Sequence, residues 1–106
     1  SSTGSASGTS KPRQSWVTKG GKQAGYANSH RLVINWSEFA TGTYKVTCRD
    51  NYGNTDYITE TQYTVNVNSS SGSHELGCYT GYPGIHVYVR WESGPGAPFN
   101  SDVITW

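Results

Sequence analysis

Ile85-His86-Val87-Tyr88-Val89-Arg90-Trp91 is the stretch that decides the fold. Apolar side chains stand at 85, 87, 89 and 91, while His86, Tyr88 and Arg90 fill the places between them. A period of two sends alternate side chains to opposite faces of an extended chain, so the run predicts a strand buried on one side only. The same alternation returns at Leu32, Ile34 and Trp36, and at Tyr44, Val46 and Cys48, with Thr43, Lys45 and Thr47 facing water. It returns again at Tyr63, Val65 and Val67, separated by Thr64 and Asn66. Shorter strands are expected over residues 15–19, 76–79 and 102–106.

Turn chemistry lies between these runs. Lys19-Gly20-Gly21, Ala40-Thr41-Gly42, Asp50-Asn51-Tyr52-Gly53-Asn54, residues 69–73 and Gly94-Pro95-Gly96-Ala97-Pro98 supply residues that accept positive φ or pre-set a reversal. About seven strands, with a turn every eight to twelve residues, predict an all-β, immunoglobulin/fibronectin-type two-sheet sandwich. Trp36, Trp91, Tyr44, Val46, Tyr63 and Val65 are the expected core between the sheets. No segment reads as a crossover helix, and residues 20–29 form the longest stretch without a strand signal.

Composition agrees. The chain has 106 residues, enough for one small domain, and Ser, Thr and Gly together make 39 of them (14, 12 and 13), which leaves little for helices. The formal net charge is +1, too balanced for a nucleic-acid footprint. No apolar run approaches the ~20 residues of a membrane helix, so no direct insertion is expected. Residues 1–10, SSTGSASGTS, hold no apolar side chain larger than Ala6 and cannot bury enough surface to offset their ordering. Residues 1–14 are therefore expected to be a flexible Ser/Gly-rich linker and residues 15–106 the β-sandwich, the C-terminal piece of a longer protein.

Cys48 closes one inward-facing row, and Cys78 follows 30 positions later. In a Ser/Thr-rich chain without Met the pair reads as one disulfide, worth about 3 to 4 kcal/mol for a loop of this length. A zinc site competes for the two cysteines, but it needs about four ligands and the chain offers neither a C-x-x-C spacing nor a histidine pair. The disulfide places the domain outside the cytosol, at the cell surface or secreted.

Val17-Thr18-Lys19-Gly20-Gly21, the run Trp36-Ser37-Glu38-Phe39-Ala40-Thr41-Gly42-Thr43-Tyr44-Lys45-Val46-Thr47-Cys48, the later Cys78-Tyr79-Thr80-Gly81-Tyr82-Pro83-Gly84 and the closing residues 101–106 share a pattern. The chain resembles an actinobacterial extracytoplasmic β-sandwich module of the kind found at the C-terminus of membrane-anchored serine/threonine protein kinases and other surface proteins. That resemblance covers about residues 15 to 106 and implies context and compartment, with no catalytic residue to carry over. Relatives often hold a further cysteine pair between the Gly-Gly turn and the next strand. Tyr26 to His30 has none, so a less constrained loop is expected there. Physically, Phe39 plugs one end of the sandwich, Gly42 permits the reversal into Tyr44, Tyr82-Pro83-Gly84 forms a turn, and Trp106 buries its ring at the foot of the last strand.

Catalytic patterns are weak. His30, His74 and His86 read as solvated histidines, and with 14 serines a written triad carries no information without a nucleophile elbow. The seven carboxylates lack the deep cleft that glycoside hydrolysis needs. Asp50 to Asp56 is rich in oxygen donors but departs from the calcium-loop order at Tyr52 and Gly53, and reads as a hairpin turn. Asn35 and Asn68 begin Asn-x-Ser triplets of the sort a Ser-rich chain produces by chance.

A non-catalytic extracellular binding or sensor module is therefore expected, monomeric and without cofactor or metal. Tyr79, Tyr82, His86, Tyr88 and Arg90 are its expected binding face, because rings with a polar handle beside a rigid turn suit a cell-wall glycan, a peptide or another surface protein. A structural spacer or cap with no ligand is the alternative, and a small hydrolase is the weakest reading.

Overall fold

A computed structural model describes residues 12–52, 55–58, 61–80 and 84–106. Among these residues nine strands follow in order: β1 (Gln14–Lys22), β2 (His30–Ser37), β3 (Gly42–Tyr52), β4 (Thr55–Ile58), β5 (Tyr63–Val67), β6 (Gly72–Thr80), β7 (His86–Ser93), β8 (Phe99–Asn100) and β9 (Ile104–Thr105). Among the described residues there is no helix. Strands β1-β2-β6 make one sheet. In the other, β3 is flanked by β7 on one side and by β4 and β5 on the opposite side, and β8 and β9 both line the outer edge of β7. All pairs are antiparallel, and the two sheets form the expected β-sandwich.

The excess over seven strands has two sources. The expected Asp50–Asp56 turn is a β3–β4 hairpin, with Asn51 opposite Asp56 and Tyr52 opposite Thr55. The last strand is split, because β8 pairs at Arg90 and Trp91 while β9 pairs at His86 and Val87. Strand β1 starts at Gln14, and the Arg13 guanidinium lies 5.3 Å from the Phe39 ring centroid and 5.0 Å from that of Phe99. The folded body thus takes in two residues assigned to the linker; residues 1–11 lie outside the described residues.

Gly20-Gly21 is not a turn. Strand β1 runs through it to Lys22, and the register with β2 shifts between Lys19 and Lys22. A Cβ on Gly20 would stand 2.5 Å from Glu75 Oε2 and 2.8 Å from Val33 Cγ2, so glycine is there for close approach rather than for reversal.

The parity of the sequence sets the core. Leu32, Ile34 and Trp36 of β2 face Tyr44, Val46 and Cys48 of β3 and Val87, Val89 and Trp91 of β7, all buried. Tyr63 is half-buried at the margin. Trp91, fully buried, is the hub: Phe39, Tyr44 and Trp36 lie 4.6, 5.1 and 6.1 Å from it, centroid to centroid. Edge-to-face geometry suits ring quadrupoles, and each buried polar tip is satisfied. Trp91 Nε1 donates to Ser15 Oγ at 3.0 Å, Trp36 Nε1 to the Ser69 carbonyl at 3.1 Å, and Tyr44 Oη to the Ala40 carbonyl at 2.6 Å. Phe39 does plug this end, and Gly42 (φ +153°) makes the expected reversal beneath Pro95. Cys48 and Cys78 form the disulfide, which crosses from β3 to β6 and so joins the two sheets.

Candidate functional site

The expected binding residues do not form one face. His86, Tyr88 and Arg90 stand on the outer side of β7, opposite Asn51, Arg49 and Thr47 of β3. Tyr79 belongs to β6, on the outer side of the other sheet, where it sits opposite Arg31 of β2. A period of two reveals which side of a strand faces out, but not which sheet the strand joins. Tyr82 lies outside the described residues.

Two polar arrangements follow from this separation. On the β3–β7 face, Glu92 Oε2 accepts from Thr47 Oγ1 at 2.8 Å and from Arg49 Nη2 at 2.9 Å, while its Oε1 takes Arg90 Nε at 3.0 Å. These bonds, led by the Thr47 hydroxyl, hold the Glu92 carboxyl below its ordinary pKa. Arg90 also donates to Asn100 Oδ1 at 3.1 Å. Its guanidinium is thus committed within the sheet. On the opposite face Arg31 Nε donates to Tyr79 Oη at 3.0 Å and its guanidinium lies 5.2 Å from that ring's centroid. Glu75 is held below its ordinary pKa chiefly by the Gly21 backbone N–H at 2.8 Å, and also by Arg31.

A concave site lies instead at the end of the sandwich where β1 passes into β2. The connection of residues 23–29 closes on itself: Gln23 N donates to the Ser29 carbonyl at 2.8 Å, Ser29 Oγ to Gln23 Oε1 at 2.7 Å, and Tyr26 N to the Gln23 carbonyl at 3.2 Å. This loop was expected to be less constrained for want of cysteines; hydrogen bonds at its neck do that work instead. Trp106 braces its outer wall, with Nε1 3.4 Å from the Asn28 carbonyl and Lys19 Nζ 5.0 Å from the ring centroid.

Between this loop and the ends of β3 and β6 is a cavity of about 530 Å³, lined by Gln23, Tyr26, Asn28, Ser29, Asp50, Tyr79 and Thr80 together with Gly25 and Ala27. Ser29 and Thr80 are buried, whereas Tyr26 and Tyr79 stay exposed at the rim. Asp50 follows Cys48 on the inward row of β3, and the Thr80 hydroxyl donates to its carboxylate. Its Oδ1 is buried and has no hydrogen-bond partner. Burial raises the Asp50 pKa above the ordinary value, and the Thr80 bond offsets this only in part.

Of these residues the sequence points to Tyr79 alone as a binding group. A signal for Asp50 was present: Tyr44, Val46 and Cys48 point inward, and one further step of two lands on a carboxylate. Among the described residues no three His, Cys, Asp or Glu side chains converge as metal ligands, and no helix is long and apolar enough to cross a membrane. No family model, curated protein or solved structure matches the chain.

Proposed function

We propose that this chain is a non-catalytic binding or sensor module, displayed outside the cytosol as part of a larger surface or membrane protein. Its ligand enters the cavity between residues 23–29 and the ends of β3 and β6. The observation that carries this reading is the Asp50 carboxylate in the lining of an open cavity, one of its oxygens buried without a donor. Folded domains rarely leave such a group unmatched, and exceptions gather where a ligand completes the set. Loops at one end of a β-sandwich are also where such domains bind, because the sheets hold the loops rigidly. The cross-sheet disulfide supports an oxidising compartment. The surface-protein setting, kinase association included, rests on the sequence resemblance.

Titration of the labelled protein with soluble cell-wall fragments, oligosaccharides and peptides, followed by amide NMR shifts, tests the site. Shifts centred on Gln23, Asn28, Asp50, Tyr79 and Thr80 are expected. Shifts confined to His86, Tyr88 and Arg90 would move the site to the outer face of β7, and no shifts with any class would overturn the binding reading. A spacer then takes its place, a role favoured by β1 starting at the end of the sandwich opposite to β9.

A further inference from the structure

Asp50 is the one charged side chain among the described residues lining the cavity. Its neighbours cannot neutralise it. Thr80 already donates to the carboxylate, and the Ser29 hydroxyl is spent on Gln23 Oε1. Arg31, the guanidinium beside Tyr79, is taken by Tyr79 Oη at 3.0 Å and by Glu75 Oε1 at 3.4 Å. A carboxylate partly removed from water without a counter-charge raises the free energy of the empty site, and a ligand that brings the counter-charge recovers that cost.

A hydroxyl would supply only the hydrogen bond; an ammonium supplies the bond and the opposite charge. An anion would be repelled. The rim adds the exposed ring of Tyr26, whose face attracts a cation and also covers an aliphatic stem or a sugar ring. The volume is within the range of small-molecule sites and holds one sugar ring or one extended side chain. Resting on the reading that this cavity is the binding site, we infer that it takes a protonated primary amine, whose ammonium pairs with the Asp50 carboxylate. Such an amine comes from an amino sugar or from a lysine-type side chain.

The test uses the whole chain and two matched pairs of probes: a glucosamine tetramer with its N-acetylated form, and a lysyl peptide with its acetyl-lysyl form. At least one free amine should shift the amides of Asp50, Tyr79 and Thr80, and the pair that responds identifies the source. Acetylation should weaken binding at least about tenfold, as loss of a charge-assisted bond does, and Asp50→Asn should do the same to the free amine. Acetylation probes the charge on the unaltered chain, so the result stands even if the variant folds poorly. Equal affinity for free and acetylated forms at those amides would overturn the ammonium while leaving the cavity as the site. Silence from both amines at millimolar concentration also overturns it. If no other ligand class shifts those amides either, the binding reading falls with it.

Discussion

At the scale of single residues, Asp50 opposes folding at neutral pH and Glu92 supports it. The Asp50 carboxyl has a folded pKa above its ordinary 3.8, so the native chain holds this proton more tightly than the unfolded chain does. The sign follows: its contribution turns unfavourable as pH rises from the ordinary carboxylate range through the folded pKa. Asp50→Asn should therefore stabilise the unliganded domain near pH 7 by roughly 1 kcal/mol, the low end for an unmatched buried acceptor because the group is only half-buried. That gain corresponds to about 4–8 °C in Tm for a domain of this size. Below the ordinary 3.8 the difference between the two proteins should close, since both side chains are then neutral. Thermal melts of both proteins from acid to neutral pH measure this; a wild-type chain that is the more stable one at pH 7 would refute it. Glu92 behaves in the opposite way. Its pKa is lowered, so its support is complete above the ordinary 4.5 and is lost as pH falls through the folded value. Glu38 is a separate case, a non-glycine residue at φ +60° in the turn before Phe39. Glu38→Gly should raise the denaturation midpoint by up to about 1 kcal/mol equivalent, because the left-handed region costs an L-residue roughly that much. A loss of stability would show that the Glu38 side chain matters more than its backbone.

At the scale of elements, a strand's inward face was legible in the sequence and its neighbours were not. Alternation alone puts Trp36, Tyr44, Val46, Tyr63, Val65 and Trp91 inside, and all but the half-buried Tyr63 are buried. Sheet membership depends on pairing between segments far apart in the chain, which is why Tyr79 and Tyr88 looked adjacent and are not. The cavity suffers the same way: Gln23, Asp50 and Thr80 meet only after β1, β3 and β6 are arranged. Glycine is ambiguous for another reason, since it serves both where the chain turns and where something comes close. Gly20 and Gly21 separate the two roles. A methyl on Gly20 meets Val33, whose β-branched side chain has little freedom to retreat, and stands 3.1 Å from the Arg31 carbonyl. On Gly21 it would come only within 3.4 Å of the Glu75 carboxylate, at the end of an exposed, movable side chain. Gly20→Ala should thus cost about 1–3 kcal/mol, whereas Gly21→Ala should stay within about 0.5 kcal/mol. Equal effects in urea unfolding would mean that the register shift between Lys19 and Lys22, not the close approach, demands both glycines.

At the scale of the whole molecule, the disulfide does more than close a loop. Cys48 and Asp50 are inward neighbours on β3, and Cys78 and Thr80 are inward neighbours on β6, so the bond between the cysteines sits one inward position from the two side chains that meet at the cavity. It spans the sheets with the Cα atoms 6.7 Å apart and thereby sets the separation at which Thr80 reaches the carboxylate. Two consequences should be separable. The chain-entropy term, about 3 to 4 kcal/mol for a span of this length, is lost globally when both cysteines become alanine. A small domain has only about 5–15 kcal/mol in hand, so the variant should remain folded in the cold and melt far earlier. Locally, amide exchange in the cold variant should rise first at Asp50, Tyr79 and Thr80, while Val46 and Trp91, held by the aromatic hub, stay protected. The denaturation midpoint measures the first effect and residue-resolved exchange the second. If protection falls evenly from Val46 to Thr80, the bond acts only through the unfolded chain and has no part in shaping the cavity.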